Sequence, residues 1–333
     1  MRIGVIGAGA VGGTIAALLD RVGHLVEVTA RGDHLAKIRS SGLHLSGAWG
    51  EHVARVEAAE TLEGRPELVF VCTKAQDSAA AIRENRSRLT GIPVVVVQNG
   101  LAGLDQARIL LPYSECVGAL ALYAASYLSP GVVSVTTSAN TYLGAGSGKA
   151  PEAAVFATGV LDAAMPAIAV DNFSGCQWTK LIVNQINAMP AITGLSAQDT
   201  LSDAGLRRIV TASMRETVTV GFDAGVHYGS IQGLTNVLLR FVASTPLWAG
   251  QLVPIMMQRR MGETPNPGST LQSIRRGQPT EIDYLNGAVV EEAARLGRQA
   301  PINAALVELV HEVESTRRFL PGDAVVSRMR PHL

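Results

Sequence analysis

The chain reads as α/β in its first half and mainly α-helical in its second. Two observations divide it in this way. From residue 2 to about 170, short apolar runs alternate with segments of helical period. Strands that are apolar throughout and separated by helices imply βα units and a parallel sheet buried on both faces. Beyond residue 170, apolar residues recur at the 3.6-residue period and strand signals become scarce. The division predicted is therefore residues 1–170 and 171–333.

In order, the first domain offers strands at 2–6, 25–29, 67–73, 93–98 and 114–119, with helices at 11–21, 34–40 and 77–89 between several of them. A second strand-rich stretch follows at 131–137 and 141–144, then a helix at 152–165 and a short run at 167–170. The second domain carries helical patterns at 175–188, 203–224, 232–243, 281–296 and 304–318. A Pro/Gly-rich stretch at 262–269 reads as a loop among them.

Composition removes several function classes. Of 333 residues, 47% are hydrophobic and 17% charged, so there is ample material for two cores. Twenty-eight basic residues balance twenty-eight acidic ones, which leaves no overall field for nucleic acid or an anionic membrane. Cys72, Cys116 and Cys176 are scattered and fit no metal-ligand spacing; so sparse and odd a set suits a reducing compartment. The apolar run at 117–128 is too short to span a bilayer. A soluble, cytoplasmic protein without a metal site is expected.

The first strand runs directly into Gly7-Ala8-Gly9-Ala10-Val11-Gly12 and then into a helical pattern. G-x-G-x-x-G in that context is the dinucleotide-binding fingerprint of a Rossmann-type parallel-sheet domain. The first glycine permits a tight turn, the second admits the pyrophosphate close to backbone, and the third lets helix and strand pack closely. Free N–H groups at the helix start then face the phosphate. An acidic residue after the second strand would bind a ribose 2′-hydroxyl, as NAD-preferring sites do. Here Arg31 stands near that position, and a guanidinium suits a 2′-phosphate. Glu27 comes too early, in mid-strand. The expected cofactor is NADP(H).

Further motifs give the chain a family likeness. Cys72-Thr73-Lys74-Ala75 and Gln98-Asn99-Gly100 follow strands, and Trp178-Thr179-Lys180-Leu181-Ile182-Val183-Asn184 opens the helical domain. Asn266-Pro267-Gly268-Ser269 and Thr280-Glu281-Ile282-Asp283-Tyr284-Leu285-Asn286-Gly287 come later. With the glycine turn, these six motifs in this order resemble the ketopantoate reductase (2-dehydropantoate 2-reductase) family over nearly the full length. The resemblance implies an oxidoreductase of pantothenate biosynthesis that reduces a small branched 2-oxo acid with NADPH.

On its own terms, the helix around Lys180 is apolar except for one seam, Gln177, Lys180, Asn184 and Asn187, spaced three, four and three apart. A buried polar seam needs partners, either protein groups or a polar ligand; a seam facing water needs neither. The resemblance selects the ligand and makes Lys180 the general acid, whose ammonium stabilises the charge developing on the carbonyl oxygen and supplies its proton. Burial would lower its pKa toward neutrality.

By the same resemblance Glu281 binds the substrate hydroxyl and holds the lysine, although a carboxylate in a first helical turn also suits the helix dipole unaided. Asp283 is expected to cap or pair structurally. Asn184, Asn266 and Ser269 would contact the substrate, Ser269 at its carboxylate. Asn99 would lie near both nicotinamide and substrate, at the mouth between the domains, and Lys74 on the cofactor side with Gly7, Ala8, Gly9, Ala10, Val11 and Gly12. One departure stands out. Where many members have a second substrate asparagine four residues past the first, this chain has Ala188, and Asn187 comes one residue early.

Two alternatives stay open at this level: a paralogue reducing a different 2-oxo acid or related carbonyl, and a non-catalytic NADP(H)-binding sensor. The second has no reason to keep Lys180 together with Glu281. A homodimer is compatible with the helical half, though no heptad demands one.

Overall fold

The first strand, β1 (Arg2–Ile6), and the second, β2 (Leu25–Thr29), pair in parallel around helix α1 (Ala10–Arg21), so the fingerprint sits inside a complete βαβ unit. The structure is a computed structural model that describes residues 1–262 and 265–333. Two compact units emerge, Met1–Ser174 and Gly175–Leu333, and the break falls inside a helix.

The first unit continues through α2 (Gly32–Ser41), β3 (Leu43–Gly47), β4 (His52–Ala54), β5 (Glu57–Ala59), β6 (Leu68–Val71), α3 (Ala75–Glu84), α4 (Arg86–Leu89) and β7 (Val94–Val97). It then runs through α5 (Gly103–Leu110), β8 (Cys116–Ala121), β9 (Ala124–Ser129), β10 (Val132–Thr137), β11 (Thr141–Gly144), α6 (Glu152–Asp162) and β12 (Ala167–Ala169). Eight strands form one sheet in the order β12-β11-β8-β7-β6-β1-β2-β5. Every pairing in it is parallel except β11 with β8. Its central strands β1, β6 and β7 are buried almost end to end, as apolar strands covered on both faces must be.

A second sheet, β4-β3-β10-β9, was not foreseen as a sheet. The expected neighbours 131–137 and 141–144 part company: β10 joins this sheet and β11 the main one. Leu43, Leu45, Val133 and Val135 are all buried there and belong to the same core as Ile15, Leu18 and Leu19 of α1. The α1 helix thus has apolar partners on two sides, which explains why eight consecutive residues, Gly12 to Leu19, are buried.

The second unit begins with α7 (Phe173–Asn184), a 3₁₀ turn at Gln185–Asn187, α8 (Ala188–Thr193), α9 (Ala197–Ser202) and the long α10 (Ala204–Asp223). It continues with α11 (Asn236–Ser244), α12 (Leu247–Gly250), α13 (Leu252–Arg260), α14 (Gly268–Arg275), α15 (Ile282–Arg295), α16 (Pro301–Thr316) and α17 (Gly322–Met329). Ser196, Asp203 and Thr235 cap α9, α10 and α11 by accepting backbone N–H bonds, and Pro301 opens α16 where its missing N–H costs nothing.

Two expected helices are interrupted, each for a local reason. The 77–89 pattern breaks at Asn85, whose side chain accepts from Leu62 N–H at 2.7 Å and donates to the Ala81 carbonyl at 2.8 Å. The 175–188 pattern tightens into the 3₁₀ turn. A continuous α-helix would press the Pro190 ring on the carbonyl of Ile186 and ask Pro190 for an N–H it lacks. The loop expected at 262–269 includes Glu263 and Thr264, which lie outside the described residues; its last two positions, Gly268 and Ser269, already begin α14. Among the described residues no helix is long and apolar enough to cross a membrane.

Candidate active site

In the first unit, the glycine turn is shaped as the spacing requires. Gly7 has φ +92°, a conformation that side chains resist, and a Cβ there would stand 2.9 Å from Thr73 Cγ2. A Cβ on Gly12 would collide with the Gly7 carbonyl oxygen and lie 2.8 Å from Cys72 Cβ. Around Gly9 there is nothing within 4 Å, and the residue is exposed. Gly9 is also the N-cap of α1, with no side-chain cap and no carboxylate in the first turn. An open, uncapped helix start of this kind fits a pyrophosphate, since the aligned peptide dipoles favour an anion.

Two side chains that the motif reading passed over hold this turn. Thr29 Oγ1 accepts from Gly7 N–H at 2.9 Å, while its carbonyl accepts from Ala8 N–H at 3.0 Å. His34 takes the Gly131 N–H on Nδ1 at 2.9 Å, which puts its proton on Nε2, 2.7 Å from the Ala8 carbonyl. Burial lowers the His34 pKa below 6.5, against the bond to Ala8, and favours the neutral ring that this arrangement needs. A threonine within an apolar strand and a histidine early in a helix carry no sequence signal for this role.

Lys74 stands at the N-cap position of α3, past the end of β6, without a side-chain capping bond, and Asn99 stands in the turn after β7, beside Gly100 with φ +84°. Arg31 stands at the N-cap position of α2 just past β2, its Nη2 2.7 Å from Glu84 Oε2. The strands run β7-β6-β1-β2, so Asn99, Lys74, the glycine turn and Arg31 follow the C-terminal ends of four adjacent parallel strands. That edge is where open α/β sheets bind ligands. Glu27, by contrast, is buried within β2 and accepts the Glu63 and Gly64 N–H groups, so it is occupied with the chain's own backbone.

In the second unit, α7 carries Lys180 and Asn184. Trp178, Leu181, Ile182, Ile186 and Met189 are buried around the seam, and Asn184 is itself buried. Lys180 keeps part of its surface open, yet burial lowers its pKa from 10.5 to about 8. In the 3₁₀ turn, Asn187 comes against the loop before α14: its Oδ1 lies 2.8 Å from where a Cβ on Gly268 would be. Gly268 has φ +69° and is the residue type that spot admits. Asn266 is fixed in the same loop, its N–H donating to Gln198 Oε1 at 2.9 Å and its Oδ1 accepting from Gly268 N–H at 2.9 Å. Ser269 follows it, exposed, in the first turn of α14. The structure thus brings Asn187, Asn266, Gly268 and Ser269 together.

Glu281 is the N-cap of α15. A buried set of side chains ties that helix to the 3₁₀ turn that follows α7. Asn286 Nδ2 donates to Gln185 Oε1 at 2.7 Å and to Asn303 Oδ1 at 2.9 Å. Ser213 Oγ lies 2.8 Å from Gln185 Oε1 and 2.9 Å from Asn303 Oδ1. Gln185, Ser213, Asn286 and Asn303 have no solvent exposure, where polar groups survive only by mutual bonding. The signal was available: Asn286 lies within the quoted Thr280–Gly287 motif, but no chemistry pointed to it. Asp283 pairs with His311 Nε2 at 2.9 Å, and His311 Nδ1 with Glu314 at 2.7 Å.

Fold and site together define a chain with a nucleotide-binding α/β unit and a helical unit bearing a part-buried lysine, the make-up of a nucleotide-dependent oxidoreductase. The family model for ketopantoate reductase PanE/ApbA matches residues 3–148, and that for its C-terminal part matches residues 172–314. The chain belongs to the ketopantoate reductase family and is an oxidoreductase acting on a CH–OH/C=O group. It is similar to the 2-dehydropantoate 2-reductase of Pyrococcus abyssi, 26% identical over 95% of this chain and 98% of that one. Among solved structures it resembles a PanE/ApbA family ketopantoate reductase from Ralstonia eutropha, with a TM-score of 0.78 and 27% identity over 95% of this chain and 99% of that one. It also shares the fold of a D-mandelate dehydrogenase solved with NADH and anilino(oxo)acetate, with a TM-score of 0.81 and 21% identity over 95% and 99%.

Proposed function

We propose that the chain reduces 2-dehydropantoate (ketopantoate) to pantoate with NADPH, Lys180 acting as general acid. The observation that carries this reading is the state of Lys180. It is the one cation on α7, in a polar seam flanked by apolar side chains, and burial brings it to about 8. At neutral pH it is then still mostly an ammonium, and a better proton donor than a solvated lysine.

A bound reduced nicotinamide supplies a hydride to the substrate's C2 carbonyl carbon. As negative charge grows on the carbonyl oxygen, the Lys180 ammonium stabilises it and transfers a proton to it, forming the hydroxyl and leaving a neutral amine that water reprotonates. Glu281 orients the lysine and accepts from the substrate hydroxyl. Asn184, Asn266 and Ser269 hold the substrate, Ser269 at the carboxylate. Gly7, Gly9, Gly12, Arg31, Lys74 and Asn99 hold the cofactor, with the guanidinium of Arg31 on the 2′-phosphate.

A second reading, reduction of a different 2-oxo acid, is favoured by one feature. The family's second asparagine position is Ala188, and Asn187 sits in a 3₁₀ turn against Gly268 instead. Following NADPH oxidation with a panel of 2-oxo acids separates the two. Turnover of ketopantoate at an ordinary enzymatic rate supports the first, and activity confined to other 2-oxo acids the second. Lys180→Ala should lower kcat by about 10²–10⁴ with whichever acid is turned over; unchanged turnover removes the lysine from the chemistry.

A further inference from the structure

Glu84 lies outside every motif of the sequence. Yet Arg31 Nη2 and Glu84 Oε2 are 2.7 Å apart, and they come from elements that are far apart in sequence. Helix α3 begins at the Lys74 cap on the end of β6 and finishes with Glu84 beside Arg31, just past β2. Because β1 lies between β6 and β2, the helix carries its carboxylate from one side of the glycine turn to the other. Asn85, the next residue, is anchored on Leu62 N–H at 2.7 Å, in the segment after β5, the neighbour of β2. The end of α3 is therefore fixed at the β2 side rather than free to swing.

A glutamate gains nothing from the helix end it occupies, where the backbone carbonyls already carry negative partial charge. What it gains is Arg31. Both side chains are open to solvent, 70% for Arg31 and 44% for Glu84, so the pair is weak and can be exchanged for a better partner. A 2′-phosphate would be such a partner, but it must take the same guanidinium fork that the carboxylate holds, and it would place two negative charges next to a third. A ribose 2′-hydroxyl demands neither: Arg31 can stay with Glu84, and the carboxylate can accept a bond from the hydroxyl, as acidic residues at this end of the site do.

We infer that Glu84 is a specificity-determining residue, a carboxylate that competes with the 2′-phosphate of NADPH for Arg31 and so narrows the preference for NADPH over NADH. This deepens the cofactor reading above and rests on it. The size of the effect follows from an exposed charge pair, about three- to tenfold in the ratio of the two dissociation constants.

The test is a fluorescence titration of NADPH and of NADH, without substrate, on the wild type, Glu84→Gln, Arg31→Ala and the double variant. Gln keeps the side chain's shape and removes its charge. The expected result is a three- to tenfold shift of the ratio toward NADPH in Glu84→Gln, reduced to less than about twofold when Arg31 is already alanine. An unchanged ratio in Glu84→Gln overturns the inference, as does an equal shift without Arg31, which would make it a general field effect. Arg31→Ala alone tests the underlying reading. A loss confined mainly to NADPH supports it, and equal losses for both nucleotides overturn the 2′-phosphate contact itself.

Discussion

A lysine held at about 8 in the folded chain should make the protein less stable than it could be, and Lys180→Met measures by how much. In the unfolded chain Lys180 returns to 10.5, so between pH 8 and 10.5 the unfolded state binds more protons than the folded one, and stability rises with pH across that window. Below pH 8 the folded state carries the full cost of an ammonium stripped of water. The fall from 10.5 to about 8 corresponds to about 3 kcal/mol. That is an upper bound because Lys180 keeps part of its surface open, and about 1–3 kcal/mol is the working range. Methionine has a similar length and no charge, and its neighbours Leu181 and Ile182 are buried and apolar. At pH 7 the variant should therefore be more stable than wild type by about 1–3 kcal/mol, a rise of several degrees in Tm for a chain of this size. The gap should close as the pH approaches 10.5, while turnover collapses at every pH. The assay is urea unfolding of both proteins at intervals from pH 6.5 to 10.5. Taking the difference cancels titrations they share. A Lys180→Met protein that is less stable at pH 7, or a gap that does not change with pH, would refute the argument from burial.

The glycine turn separates into a binding position and a folding position. Gly9→Ala should melt with wild type, because no atom lies within 4 Å of the added Cβ, yet weaken the dinucleotide by about tenfold or more; Gly12→Ala should lower Tm outright, because its Cβ meets backbone. His34→Ala should raise the dissociation constant of the cofactor with little change in kcat at saturation. Gln, which can both accept from Gly131 and donate to Ala8, should restore part of it; equal loss in both variants would deny the pin. The His311 cluster predicts a stability window. Burial pushes His311 down, but bonds to Glu314 and Asp283 outweigh it and raise its pKa, so its contribution is whole below 6.5 and fades as pH climbs through the raised value. Glu314 is pushed up by burial and pulled further down by His311 and the Thr280 N–H, so its contribution is whole above 4.5 and fades as pH falls through the lowered value. His311→Ala should accordingly cost most between pH 4.5 and 6.5, by less than about 1 kcal/mol for so exposed a pair; a uniform cost across pH would contradict it.

The parts of this molecule that could be read from sequence are those set by local pattern. The β1, β2 and β11 limits match the expected strands to the residue, because short runs dominated by apolar and β-branched residues mark a buried sheet. The glycine turn was legible because backbone constraints at Gly7 and Gly12 leave glycine as the fitting choice at fixed spacing. What escaped was whatever depends on partners distant in the chain. β3 is an alternating strand of only five residues, and it becomes a strand because β10, some ninety positions later, lies beside it. Asn286 and Gln185 are ordinary residues until three helices and the 3₁₀ turn bring them together away from water. The Arg31–Glu84 pair is the same kind of case: Arg31 was legible as a cation beside a nucleotide turn, but its opposing charge comes from another element 53 positions away. Asn187 shows the limit in the other direction. Its offset from Ala188 holds for a regular α-helix, and ahead of Pro190 the chain takes a tighter turn instead.

The pairing of β3 with β10 also sets an order of events when the chain is made. Helix α1 emerges among the first twenty-odd residues, but the cover that β3 and β4 give one of its apolar flanks is completed only when Val135 has been synthesised and can pair with Gly47. During that interval α1 and the β3–β4 hairpin expose greasy surface and an unsatisfied strand edge, features that invite wrong association. A nascent chain stalled before residue 130 should therefore engage chaperones more than one stalled just after residue 137.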